Sequence, residues 1–157
     1  NAVARRVRDN EFSRFGIRLL SRIRSHAALL ADRFQVRPPD PTAKAGSLSG
    51  GNQQKLMAAR ELENSPAVLI AHGPTKGLDP EASKAMRDRI FAVAKTGGAV
   101  VVISSDLEEI IELADRVIVL SSGKIVDRFD IADMTSARLG AAMAGLSDND
   151  QNRSYIE

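Results

Sequence analysis

The sequence predicts an α/β fold: an N-terminal helical subdomain, then parallel strands covered by helices, closed by a C-terminal β-hairpin. Three observations carry this expectation. Apolar residues recur at three- and four-residue steps early in the chain. Two short all-apolar runs, Ala67-Val68-Leu69-Ile70-Ala71 and Ala99-Val100-Val101-Val102-Ile103, are separated by a helical stretch. Two further runs flank Ser121-Ser122-Gly123. Strand–helix–strand order with apolar strands indicates a parallel, helix-covered sheet. The expected boundaries are 3–64 for the helical subdomain, 65–146 for the strand-bearing core and 147–157 for a polar, disordered tail.

The first part reads as helical, because Phe15, Leu19, Leu20, Ile23, Ala27, Leu30, Ala31 and Phe34 form an apolar stripe with arginines between. Arg37-Pro38-Pro39-Asp40-Pro41 must break any helix, since proline lacks the backbone donor and restricts its predecessor. A second helix is expected from Ser49, a good N-cap, to about Asn64, with Leu56, Met57 and Leu62 inward. Both all-apolar runs suit strands buried on both faces. Between them a helix is expected from Pro80 to Lys95, with proline at the tolerated first position and Gly97-Gly98 just past its end. Asp106 begins a further helix, with Glu108 and Glu109 in the first turn where the helix dipole favours negative charge. Arg116–Leu120 and Lys124–Phe129 form the hairpin. A last short helix covers about Ser136 to Ala144.

At 157 residues the chain can hold one ordinary domain with a real core. With 43% hydrophobic and 27% charged residues it has the composition of a soluble globular protein. No apolar run approaches the ~20 residues needed to cross a bilayer. The absence of cysteine excludes disulfides and thiolate metal sites, and fits a cytosolic protein. The net charge of +2 hides an asymmetry: residues 1–37 hold nine arginines against three acidic residues, and the remainder holds 13 basic against 17 acidic. A basic segment can signal nucleic acid. The simpler reading is the solvated face of a helix near a partner, since aromatic residues for base stacking make up only 4% of the chain. His26, within the first helix, is expected to be an ordinary surface residue.

The segment that carries chemistry is Leu48-Ser49-Gly50-Gly51-Asn52-Gln53-Gln54-Lys55. Glycines let backbone amides approach a ligand closely, and the unpaired N–H groups of a helix's first turn attract an anion. Ser49 adds a hydroxyl donor; Asn52 and Gln53 add neutral polar groups on the same rim. Taken alone, Ser-Gly-Gly can also be a plain helix cap after a loop.

The segment does not stand alone. It is followed by Ala59-Arg60-Glu61-Leu62, an apolar strand, and Pro74-Thr75-Lys76-Gly77-Leu78-Asp79. As an ordered set over about Arg14 to Ile125, these motifs resemble the ATP-binding cassette ATPases of membrane transporters. The Gly-Asn-Gln-Gln ending resembles the tandem-cassette ATPases of sugar and nucleoside importers. Phe12-Ser13-Arg14-Phe15-Gly16 and Phe34-Gln35-Val36-Arg37 look most like the second cassette of the nucleoside-type subgroup. The resemblance implies a partial P-loop NTPase-like core and a head-to-tail pair of cassettes. Ser49, Gly50, Gly51 and Asn52 would then face the terminal phosphate of an ATP held by the other cassette. Gly77-Leu78-Asp79 would run along the seam between them, with Asp79 linking the two sites; the alternative is a plain turn in which Asp79 serves only as the cap of the Pro80 helix.

Three departures from the family pattern narrow what is implied. The phosphate-binding pattern Gly-x-x-x-x-Gly-Lys-Ser/Thr does not occur in these 157 residues. The early strands that would carry it are not here either, so the chain is expected to be an excised portion: the helical subdomain plus the C-terminal half of the nucleotide-binding core. After the first apolar run the family expects Asp-Glu before Pro-Thr, and here His72 and Gly73 occupy those places. Histidine is a poor ligand for a hard oxygen-seeking ion, and glycine has no side chain at all. Ser105 stands where the family usually has a switch histidine. No residue here is therefore assigned a catalytic or metal-binding role.

The resemblance thus implies an energy-coupling ATPase subunit on the cytoplasmic face of the cell membrane. Its cofactor would be ATP, with Mg²⁺ held by the partner cassette. Its partners would be another nucleotide-binding domain of the same polypeptide and transmembrane permease subunits, with no nucleic acid. Two alternatives remain: a soluble cassette ATPase acting on nucleic acid, and an interaction module with no activity of its own.

Overall fold

The computed structural model describes residues 2–145; the expected tail over 147–157 lies outside them. The chain divides into two compact units, and the division passes through two of its strands. One unit holds the residues up to Leu69 together with Lys76–Val100; the other holds Ile70–Thr75 and the residues from Val101 onward.

The first unit begins with turns and a small antiparallel hairpin, β1 (Ser13–Arg14) and β2 (Ile17–Arg18), in which Arg14 pairs with Ile17. Helices α1 (Leu20–Arg33), α2 (Gly50–Leu62) and α3 (Pro80–Lys95) follow. Its core is Leu30, Ala31, Phe34, Val36, Leu48 and Ala59, with Leu56, Ala58 and Leu62 packed against it. The Arg89 guanidinium lies 3.9 Å from the centre of the Phe34 ring and donates to the Arg33 carbonyl, so α3 clasps the end of α1.

The second unit contains α4 (Leu107–Leu113), β5 (Arg116–Ser121), β6 (Lys124–Asp130) and α5 (Ser136–Met143). β5 and β6 pair antiparallel, and their inner face, Val117, Val119 and Phe129, packs on Leu139 and Ala142 of α5. Asp106 caps α4 by accepting from the Glu108 and Glu109 amides, and Thr135 caps α5 through the Arg138 amide.

β3 (Val68–His72) and β4 (Ala99–Ile103) are neighbours. The Ala99 N–H donates to Ala67 O, and the Gly73 N–H donates to Ile103 O. Both sequences advance in the same sense between these bonds, so the pair is parallel, as the sequence predicts. The parallel strands with helices, the helical N-terminal part and the closing hairpin make up the α/β fold expected from the sequence.

Four local expectations are corrected. The apolar stripe is not helical from Phe15. Phe15 (φ 51) and Gly16 (φ 78) are instead the two corner residues of the β1–β2 turn, where a left-handed pair fits the strand twist. Phe15 consequently stands 92% exposed, and the helix starts only at Leu20. Met57 faces out of α2 rather than inward. β3 and β4 are not buried on both faces: alternate residues Val68, Ile70, Val101 and Ile103 are exposed, as the two-residue period of a strand with one covered face requires. His26 is not a surface residue. Its side chain is 10% exposed, its Nε2 lies 3.0 Å from Glu63 Oε1, and its ring meets Phe12 edge-on at 4.8 Å.

Candidate functional site

The sequence-predicted residues fall into two groups, one in each unit. Ser49, Gly50, Gly51, Asn52 and Asp79 belong to the first; His72, Gly73 and Ser105 belong to the second.

In the first group, extended backbone at Ser49 (φ −60, ψ 157) turns abruptly into α2. Ser49 Oγ accepts from Asn52 Nδ2 at 3.0 Å and, at 3.5 Å, from the Asn52 N–H; the Ser49 carbonyl accepts the Gln53 N–H at 2.9 Å. Gln53 Nε2 reaches back to the Leu48 carbonyl at 2.8 Å, which pins the approach to the helix. Asn52 Oδ1 accepts the Arg37 N–H at 2.7 Å. The amides of Gly50 and Gly51 are first-turn donors for which a helix offers no internal acceptor, at the positive end of the α2 dipole.

The two glycines differ in what holds them. A Cβ on Gly51 would lie 3.4 Å from the Gly77 carbonyl and 3.5 Å from Leu78 Cδ2, so α2 begins directly against the Gly77-Leu78-Asp79 loop. A Cβ on Gly50 would meet open space. Among the described residues nothing fills that space, so the backbone of Gly50 is open to approach.

Asp79 caps α3 through Oδ1, which accepts the Ala82 N–H at 2.8 Å. That hydrogen bond, with attraction from Lys55 adding to it, holds the Asp79 carboxyl below the usual carboxylate range. The carboxylate is exposed, and nothing about the cap prevents it from meeting a second surface.

In the second group, the Gly73 N–H bond to Ile103 O (2.8 Å) holds the end of β3 beside the end of β4, two residues short of Ser105. The structure thus brings His72, Gly73 and Ser105 to one end of the strand pair. Gly73 has φ 53, a left-handed conformation that costs any side-chain-bearing residue energy, so the backbone here disfavours a glutamate. His72 and Ser105 are both exposed. Among the described residues, no three His, Asp or Glu side chains cluster as a metal site would need.

Sequence reasoning missed Glu109. It was placed in the first turn of α4 for its charge, yet its side chain is buried (1% exposed) and its Oε1 accepts the Thr75 N–H at 3.2 Å. This bond fixes the loop that leaves His72-Gly73. No pattern signalled it, since a glutamate in a first helical turn ordinarily faces solvent.

No family model matches the chain. It is 40% identical over 151 residues to the glucose import ATP-binding protein TsgD13 of Haloferax volcanii, an alignment covering 94% of this chain and 27% of that protein. To the nucleoside import ATP-binding protein NupA of Lactococcus lactis it is 38% identical, covering 88% of this chain and 27% of the relative. Among solved structures, a dimeric ATP-binding cassette in a post-hydrolysis state, bound to ADP and Pi, superposes with a TM-score of 0.62 at 23% identity. That match covers 76% of this chain and 51% of the cassette. The fold is that of ATP-binding cassettes. Its homologues are sugar- and nucleoside-import ATP-binding proteins, and the chain spans about a quarter of their length. No helix among the described residues is long and apolar enough to cross a membrane.

Proposed function

We propose that this chain is the signature-bearing part of the ATPase subunit of a simple-sugar or nucleoside importer, from its second cassette. It couples ATP binding and hydrolysis to uptake by completing a neighbouring cassette's ATP site. The observation that carries the reading is the start of α2. Ser49 Oγ and the Gly50 and Gly51 amides converge at a helix N-terminus packed against Gly77-Leu78, which suits the oxygens of a terminal phosphate. Asn52 lies on the same rim, and Asp79 follows Gly77-Leu78 in the loop that would run along the seam. The division into a helical subdomain over 3–64 and a core over 65–146 belongs to the same proposal.

His72, Gly73 and Ser105 offer no carboxylate for Mg²⁺ or for an attacking water, and Gly73's backbone disfavours one. Mg²⁺ and the phosphate loop are therefore assigned to the partner cassette, a domain of the same polypeptide. The chain's own site is degenerate, and the chain by itself is inactive. It would sit peripherally on the cytoplasmic face of the cell membrane, against transmembrane permease subunits and without nucleic acid.

The test is Ser49→Arg in the complete ATPase subunit. A bulky cation at the helix start is expected to abolish most Mg²⁺-ATP turnover and uptake. Unchanged turnover and uptake would sink the proposal.

A further inference from the structure

The carboxamide of Asn52 is committed at both ends: Oδ1 accepts the Arg37 N–H, and Nδ2 donates to Ser49 Oγ. A backbone amide can only donate. The Arg37 N–H therefore decides which end of the carboxamide faces it, and so turns the NH₂ toward Ser49. A hydroxyl has two lone pairs and one proton. Ser49 Oγ receives Asn52 Nδ2 at 3.0 Å, and the Asn52 N–H also points at it from 3.5 Å, so both donors of Asn52 are turned toward its lone pairs. What remains is its proton, which must point away from both donors.

We propose that Asn52 is a positioning residue that fixes Ser49 as an outward hydrogen-bond donor, with the backbone of Arg37 setting the polarity. This rests on the reading above, in which Ser49 meets a phosphate. A phosphate oxygen has no proton to give under these conditions, so it pairs with a hydroxyl only when the hydroxyl donates. A freely rotating serine would present a lone pair part of the time and lose that match. Asn52 thus acts on the phosphate through Ser49, while the Arg37 segment, 15 residues upstream of Asn52, becomes part of the signature's polar network. Displacing Arg37 would release the carboxamide and with it the orientation of the hydroxyl.

The experiment is a double-substitution cycle in the complete ATPase subunit, reading Mg²⁺-ATP turnover, KM and melting temperature. Ser49→Ala is expected to lower turnover by roughly 10- to 100-fold, as loss of one charge-assisted hydrogen bond would. Asn52→Ala should fall to a similar level, and adding it to Ser49→Ala should cost nothing further. Asn52→Asp is the variant that folding loss cannot explain. It keeps an acceptor for Arg37 and adds negative charge near a helix N-terminus, so the melting temperature should hold or rise. Its second oxygen, however, accepts the Ser49 proton and reverses the hydroxyl, so turnover should drop to the Ser49→Ala level. Wild-type turnover in Asn52→Asp, or a further loss when Asn52→Ala is added to Ser49→Ala, would overturn the positioning role alone. If Ser49→Ala itself leaves turnover unchanged, the phosphate reading fails and takes this inference with it.

Discussion

The Thr75 backbone N–H ends on a carboxylate inside the protein rather than on water. Glu109 is 1% exposed and Thr75 9%, so the group left behind by truncating Glu109 is a buried donor. Leaving such a donor unpaired costs ~1–3 kcal/mol. Glu109→Leu is therefore expected to destabilise the protein by about that amount, whereas Glu109→Gln keeps an acceptor oxygen and should stay within about 1 kcal/mol of wild type. Denaturant unfolding of both variants checks this, and equal losses would show that the charge of Glu109 matters rather than its acceptor. Glu109 and His26 were illegible in the sequence for one reason. Residue type fixes what a side chain can bond, but the partners Thr75 and Glu63 lie 34 and 37 residues away. Ser49, by contrast, was legible because its partners Asn52 and Gln53 sit within four residues, where helix geometry alone decides the contact.

Helix α3 begins with Asp79 as cap, Pro80 at its first position and Glu81 in its first turn. The Asp79 carboxyl is held below its ordinary range, first by the Ala82 N–H and then by Lys55. A carboxylate whose folded value is depressed stabilises the fold at pH above its unfolded value, and that contribution is lost as pH falls through the folded value. Asp79→Ala is thus expected to lower the melting temperature at neutral pH and to lose its effect in strong acid, where wild type has lost the same contribution. A melting-temperature gap that persists at low pH would contradict the cap's dependence on charge. At this scale the helix starts at Ser49, Pro80 and Asp106 were all readable, because a cap residue followed by helix-compatible residues is a local signal. The hairpin through Ser122-Gly123 was readable too, whereas Phe15-Gly16 was not. Both place a residue and a glycine at positive φ, but Phe15 also continued an apolar stripe, and the periodicity outweighed the turn. Exposure of Val68 and Ile70 could not be read at all, since burial of a strand face depends on what covers it rather than on the strand.

In the proposed reading, the residues at the start of α2 offer a nucleotide the rim of a site whose floor a neighbouring cassette supplies. The donors there are two glycine amides and one hydroxyl, and in the same reading His72, Gly73 and Ser105 replace the acid and switch residues of the family pattern. A single helix terminus contributes ~0.3–1 kcal/mol toward an exposed anion, against the −8.2 kcal/mol that a micromolar dissociation constant requires. The proposed division of labour therefore predicts that this chain, titrated with ATP and Mg²⁺, binds no tighter than the millimolar range. It follows that ~1 mM nucleotide should stabilise it by no more than about 0.4 kcal/mol, a melting-temperature shift of about a degree or two at most. Calorimetric titration with a parallel thermal melt measures both. Micromolar binding by the wild-type chain would mean that it holds a phosphate site of its own, and the assignment of the ATP to a neighbouring cassette would be wrong. Millimolar or absent binding, together with loss of turnover for Ser49→Arg in the complete subunit, would place the contribution of α2 in the neighbour's site, because the same residues would then matter only when a second cassette supplies the rest.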